Sequence, residues 1–144
     1  MTVAAHAILG AAIGTLARRR WYAFLAGIGT HLVADLVPHR DFDIVTEAAL
    51  ATAALTAIGV TIGFDSPAFA GALGGAAPDL ENGLASLGVV RRAHFPSHTG
   101  VHGKPRREVT SQILLSCALL GFTVWNAGRK KRRSGDRPAA LASD

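Results

Sequence analysis

The sequence has little or nothing of several features that mark common classes of enzyme. It has a single cysteine, Cys117, so an internal disulfide is excluded and a metal site built on thiolates is disfavoured. It also lacks a glycine-rich phosphate loop, a dinucleotide-binding glycine fingerprint and a Gly-x-Ser-x-Gly nucleophile elbow. These absences argue against a nucleotide-binding enzyme and against a serine hydrolase of the elbow type.

Charged residues are also scarce, at 17% of 144 residues against 49% hydrophobic residues. A chain of this length and composition suits one domain with a substantial helical core. Many of the basic residues are concentrated at 129–133, directly after an apolar run. Such a cluster is typical of a cytoplasmic stop that contacts anionic lipid. No aromatic interleaving or nucleic-acid motif accompanies it, so we expect no nucleic-acid partner.

Five apolar segments, separated by charged or Gly/Pro-containing joints, predict an all-α fold. They cover residues 2–17, 21–37, 44–64, 66–90 and 109–128. None alternates strictly between apolar and polar residues as a half-buried strand does, and alanine and leucine dominate them. Gly10 and Gly14 share one helical face, where small residues permit close helix contact. We treat the first segment as part of the mature chain, since no basic leader precedes it.

The lengths of the apolar segments indicate whether this bundle lies in water or in a membrane. Only residues 109–128 reach about 20 apolar residues without a formal charge, and residues 48–64 come second. The other segments carry His, Asp or Glu, which suits either a soluble bundle or a membrane bundle with inward-facing polar groups. We predict a polytopic helical membrane bundle of about four to five helices with a polar site at one end. Residues 1–128 form this single domain, and residues 129–144 form a basic, disordered tail.

The six histidines are confined to a few polar positions within and between these segments. His31, Asp35 and His39 are spaced by four residues, which places them along one stripe of a helix. An antiparallel hairpin that turns near Arg19 would set His6 opposite residues 31–35. Imidazole and carboxylate groups are ligands of zinc and related ions, so the pattern predicts one metal centre assembled from distant segments. The candidate ligands are His6, His31, Asp35, His39, Asp79, His94, His98 and His102.

Alternatives remain open for several acidic residues. Asp35 either binds the metal or accepts a hydrogen bond from a ligating histidine. Asp41 and Asp43 precede the third helix, where a carboxylate caps free backbone amides, and capping is the favoured role for Asp43. Pro78 predicts a kink that aims Asp79 inward, unless it restarts the helix with Asp79 or Glu81 in the first turn.

The stretch from His94 to His102 contains Pro96 and Gly100 and is predicted to be a folded loop. The basic residues around it predict contact with an anionic group, with or without a metal ion. The candidate substrate-binding residues are Arg91, Arg92 and Arg106.

Several of these stretches resemble the bacterial membrane-bound metal-dependent hydrolases. They are the His6 helix, HLVADLVPHRDFD at 31–43, GALGGAAPDLE at 71–81 and the histidine loop at 94–102. Members of that family commonly have Pro-Asp-x-Asp-His and His-Arg-x-x-Thr-His elements. This chain has Pro-Asp-Leu-Glu-Asn at 78–82 and His-Phe-Pro-Ser-His at 94–98. The resemblance implies a multi-pass protein of the bacterial inner membrane with a hydrolase-type metal site, distantly like zinc-dependent phospholipases C.

The functional hypothesis that follows is a metal-dependent hydrolase of a phosphate ester such as a membrane lipid. A divalent ion, expected to be zinc, would activate water, with Glu81 or Asp41 as the base. The rival hypothesis is a non-catalytic membrane scaffold or metal-binding accessory protein that uses the same residues. If the segments alternate across the membrane, nine Lys and Arg residues share the side of the tail and six lie opposite. The positive-inside rule then places the tail in the cytoplasm.

Overall fold

Five α-helices form the fold. The structure is a computed structural model that describes residues 1–36, 42–92, 94–95 and 110–135, with only the backbone described at 131 and 133–135. Within these residues there is no β-strand, so the all-α prediction is confirmed. The helices are α1 (Val3–Gly14), α2 (Arg20–Ala34), α3 (Ile44–Ile62), α4 (Pro67–Ser86) and α5 (Thr110–Gly135).

Side-chain caps explain where three of these helices begin. The Thr2 hydroxyl accepts a hydrogen bond from the Ala5 amide at the start of α1, and Ser66 caps α4 in the same way. Asp43 caps α3, because its Oδ1 accepts from the backbone amides of Val45 and Thr46, each at 3.1 Å. The capping interpretation of Asp43 is therefore confirmed.

Helices α1, α2 and α4 pack closely through small residues. A Cβ atom added at Gly10 or at Gly27 would collide with the carbonyl oxygen of Gly71, and one added at Gly75 would collide with that of His6. Ala7, together with Ala11 and Ala72, is fully buried in the same core. The predicted close approach at Gly10 is confirmed, and it brings three helix backbones into direct contact.

Helices α3 and α5 pack around these three helices and expose large apolar side chains, although Ile58 of α3 is buried in the same core. Val45 and Val60 of α3 are 74% and 71% exposed, and Leu114 of α5 is 66% exposed. These are the two described helices that are long and apolar enough to cross a membrane, with mean hydropathies of 1.6 and 1.2. The other three described helices do not meet that test, so the structure supports two candidate spans where the sequence predicts four or five.

Hydrogen bonds between helices show that α1, α3 and α5 begin at the same end of the bundle. The Val3 amide donates to Glu47 Oε2 of α3 at 2.8 Å, and the Thr2 amide donates to Gln112 Oε1 of α5 at 3.3 Å. At the other end, Asn126 Nδ2 donates to the Thr15 hydroxyl at 2.8 Å. This arrangement agrees with the alternating path predicted for the chain.

Two predicted features differ from the structure. Helix α5 continues to Gly135, so the basic residues at 129–133 extend the helix where a disordered tail was predicted. Lysine and arginine are good helix formers, and the Arg129 guanidinium lies 4.8 Å from the centre of the Trp125 ring. Helix α4 runs through Pro78 without interruption, so a restarted helix at Asp79 is wrong. A proline removes one backbone donor, and the close packing of α4 against α1 and α2 outweighs that loss.

Candidate metal centre

His6 of α1 and His31 of α2 meet at the centre of the bundle. Their ring centroids are 3.9 Å apart with an angle of 32° between the ring planes. Both side chains have no exposed surface. The prediction that a hairpin turning near Arg19 sets His6 opposite His31 is confirmed.

Asp35, at the C-terminal end of α2, contacts the Nε2 atoms of both imidazole rings. Its Oδ1 is 3.0 Å from His6 Nε2, and its Oδ2 is 3.2 Å from His31 Nε2. The amino group of Met1 lies 3.8 Å from Oδ1, so a cation also faces this carboxylate from the outer side. Two atoms bound to one zinc ion in a tetrahedral site are about 3.3 Å apart, so these separations suit both a hydrogen bond and a shared metal ion.

The partners of the two ring nitrogens of His31 indicate how this residue could bind a metal ion. Its Nδ1 lies 2.8 Å from the carbonyl oxygen of Gly75, and its Nε2 faces Asp35 Oδ2. A carbonyl oxygen and a carboxylate oxygen both accept, whereas a neutral imidazole carries only one N–H. The Gly75 carbonyl can only accept, so Nδ1 carries the ring N–H and Nε2 is the nitrogen that could bind a metal ion.

Asp79 of α4 completes the group. Its Oδ2 lies 3.8 Å from His31 Nδ1, and its side chain is 11% exposed. His6, His31 and Asp79 each offer a ligand atom, all within 4.8 Å of one another, so this group could hold a metal ion. Buried carboxylates need a charged partner or a metal, and a site with two imidazoles and two carboxylates suits several divalent ions.

A cavity of about 250 Å³ opens beside these carboxylates. Asp35 and Asp79 both line it, whereas the buried histidines do not. The two carboxylates therefore form an acidic wall between the cavity and the histidines. Glu47 lines the cavity as well and was not a candidate in the sequence analysis. Its Oε1 accepts from the Phe42 amide at 3.0 Å while its Oε2 accepts from Val3, which joins α3 to α1. The sequence signal for Glu47 was its position as the one acidic residue in the apolar segment at 44–64.

Glu81 and His94 lie elsewhere and contact each other. Glu81 Oε1 is 2.9 Å from His94 Nδ1, and its Oε2 accepts from the backbone amides of His94 and Phe95. Glu81 does not line the cavity beside Asp35, and the His94 side chain is 83% exposed. Glu81 lies two positions from Asp79 on α4, so the two residues face different sides. The structure therefore gives this pair a role in holding the chain after α4.

The remaining predicted site residues do not join the group within the described residues. Arg91 and Arg92 are exposed and do not line the cavity. The others, His39, Asp41, His98, His102 and Arg106, lie outside the described residues.

Comparison with known protein families, curated proteins and solved structures finds no match to this chain. The resemblance to membrane-bound metal-dependent hydrolases therefore depends on the sequence motifs alone. The structure shows the donor set at His6, His31, Asp35 and Asp79 independently of that resemblance.

Proposed function

We propose that this chain is a membrane-embedded metal-dependent hydrolase that acts on a phosphate ester. The observation that carries the proposal is the convergence of His6, His31 and Asp79, from three helices, with Asp35 in contact with both histidines. Helices α3 and α5 would cross the bilayer, and the small-residue core would lie beside them. The exposed apolar faces of both outer helices support this placement.

His6, His31 and Asp79 would hold the ion, and the Gly75 carbonyl, which accepts from His31 Nδ1, would fix the orientation of that ring. Asp35 faces Nε2 of both rings and would be a further ligand. A bound divalent ion supplies Lewis acidity and neutralises the charge of an anionic ester. Asp35 and Asp79 both line the cavity, so a molecule that enters it would lie beside these carboxylates. The imidazole rings have no exposed surface and do not line the cavity, so a molecule in the cavity would meet Asp35 and Asp79 first.

A non-catalytic metal scaffold is the second candidate, and one observation favours it. Both histidine side chains are completely enclosed, the His31 ring contacts the Gly75 carbonyl of α4, and the His6 backbone carbonyl packs against Gly75. An ion at this position would join α1, α2 and α4 whether or not a substrate reaches it. The site would then contribute to folding and not to turnover.

Metal analysis of the full chain, purified in detergent without chelators, tests metal binding directly. We expect about one divalent ion per chain, and at least a roughly tenfold loss of metal affinity in His31→Ala. His94→Ala is the matched control, because His94 is exposed and lies outside the group. Wild-type protein without metal, or equal metal content in both variants, contradicts the proposal.

Hydrolysis of bis(4-nitrophenyl) phosphate by the metal-loaded chain separates the two candidates. Turnover that His31→Ala loses and His94→Ala keeps supports the hydrolase. Absence of turnover in metal-loaded wild type, together with a fall in thermal midpoint on chelation, supports the scaffold.

A further inference from the structure

A second cavity adjoins the one at the candidate metal centre. It has a volume of about 290 Å³ and lies between α3 and α4. The two cavities share part of their lining, so they have a common boundary at the edge of the metal centre. The shared residues are Val3, Ile44, Glu47, Asp79 and Gly83.

The second cavity is an apolar groove that is open on the outside of the bundle. Apart from Thr52 and the shared Glu47 and Asp79, its lining consists of apolar residues and Gly83. Leu80 and Leu87 on its α4 side are 63% and 66% exposed. The groove therefore runs from the acidic wall of the metal centre to the outer surface beside α3.

We propose that this groove holds one acyl chain of a membrane phospholipid whose phosphate ester lies in the cavity beside Asp35 and Asp79. The inference rests on the proposed function, since it names the substrate class of the same site. The ion of the proposed function supplies the attraction for the phosphate group, since the ionisable side chains that line the cavity, Asp35, Glu47 and Asp79, are acidic. The position of the groove beside α3, a candidate span, would give a lipid lateral access.

The size of the groove sets the length of chain it accepts. A methylene group and a water molecule have similar volumes, about 30 Å³, so 290 Å³ holds roughly ten methylene groups. This is most of one acyl chain of an ordinary membrane lipid. The polar cavity, at about 250 Å³, is large enough for a phosphate ester and part of its headgroup.

Two variants on one helix give a matched pair for the test. Ala51 lines the groove but not the polar cavity, so Ala51→Phe should fill the groove and leave the metal centre unchanged. Ala53 is exposed and lines neither cavity, so Ala53→Phe is the control. Gly83→Leu is a second blocking variant, because a Cβ added there meets no atom within 4 Å.

Photolabelling provides the measurement. The full chain in maltoside micelles is exposed to trace phosphatidylcholine that carries a diazirine at the end of one acyl chain, and labelled peptides are mapped by mass spectrometry. We expect saturable labelling of α3 and α4 along the groove, displaced by unlabelled phosphatidylcholine and not by diacylglycerol. Ala51→Phe and Gly83→Leu should lower this labelling about fourfold for each methylene displaced, whereas Ala53→Phe should leave it unchanged.

Several results would overturn the proposal. Equal labelling in Ala51→Phe and Ala53→Phe, or equal competition by diacylglycerol, would mean that bulk lipid contact labels the helices. Cross-links between two copies of the chain would assign the groove to a protein contact. Labelling requires no turnover, so groove labelling without hydrolysis contradicts only the hydrolase. Hydrolysis of a short-chain ester without groove labelling contradicts only the acyl-chain site.

Discussion

The core helices and the outer helices of this bundle are packed in different ways. Helices α1, α2 and α4 touch through glycine and alanine, so their backbones carry the contact. Helices α3 and α5 have only 11% of their candidate span residues buried and present large apolar side chains outward. The two imidazole groups at the centre of the bundle, those of His6 and His31, belong to the core helices α1 and α2. The candidate metal ligands therefore lie where the helix backbones are in direct contact, and the outer pair supplies the surface that the proposal places in lipid.

A large side chain at Gly75 breaks the core side of this comparison. A Cβ at this position would collide with the carbonyl oxygen of His6, so Gly75→Leu must separate α4 from α1. We expect the free energy of unfolding to fall by about 3 kcal/mol or more, with loss of bound metal. Chemical denaturation in detergent and metal analysis measure both effects. Gly29→Leu is the control, because a Cβ there meets no atom within 4 Å, and a comparable loss in it would contradict the packing argument.

A charged residue in the middle of α3 tests whether this outer helix lies in lipid. Ala53 is exposed near the centre of the candidate span Ile44–Ile62. If α3 crosses a bilayer, Ala53→Lys should cost about 3 kcal/mol of insertion free energy, whereas Ala53→Leu should favour insertion. Glycosylation mapping of the translocated ends measures the inserted fraction. Equal insertion of both variants, or release of wild type from membranes by alkaline wash, would contradict a membrane-spanning α3.

The contact between the core helices and the outer helices is tested at Glu47. Its carboxylate accepts from the Val3 amide of α1 and from the Phe42 amide before α3. Glu47→Ala should lower the free energy of unfolding by about 1 to 2 kcal/mol, because it leaves both amides without this acceptor. Glu47→Gln retains one acceptor oxygen and should lose less. Equal stability of Glu47→Ala and wild type in thermal or chemical denaturation would show that the two regions join by other contacts.

The smallest expected effect is at Asp43, which stabilises the start of an outer helix. Hydrogen bonds from the Thr46 hydroxyl and amide, and from the Val45 amide, hold the pKa of Asp43 below its ordinary value of 3.8. A lowered pKa in the folded state adds stability above pH 3.8, and this contribution is lost as the pH falls through the folded-state pKa. Asp43→Ala should therefore lower the thermal midpoint slightly at pH 7 and have little effect near pH 2. Asp43→Asn keeps a capping side chain without titration, so its difference from wild type should be smaller at neutral pH.

Much of the fold could be predicted from sequence because its signals are local. The composition and the joints predicted all five helices, and Asp43 was predicted as a cap. The meeting of His6 with His31 followed from helix length and an antiparallel turn, since both depend only on distance along the chain. The extent of α5 was harder to predict, because a basic run is compatible with both a helix and a tail.

The site was less predictable because its composition depends on which side of a helix faces the core. Asp79 and Glu81 are two residues apart in one motif, yet Asp79 reaches the histidines and Glu81 holds the backbone at His94. Sequence spacing could not separate them without knowing how α4 is rotated. Glu47 was missed for the same reason, since its role depends on the Val3 amide, 44 residues away.

The stripe that carries the donor groups also carries the packing glycines. His6 and Gly10 are four residues apart on α1, and Gly27 and His31 are four residues apart on α2. The helix faces that pack against each other therefore also enclose the donor atoms. Neither helix can rotate without breaking both the glycine packing and the donor group. An ion held here would therefore exchange only through the cavity lined by Asp35 and Asp79. Metal loading would then depend on access through that cavity and would not require the core to unfold.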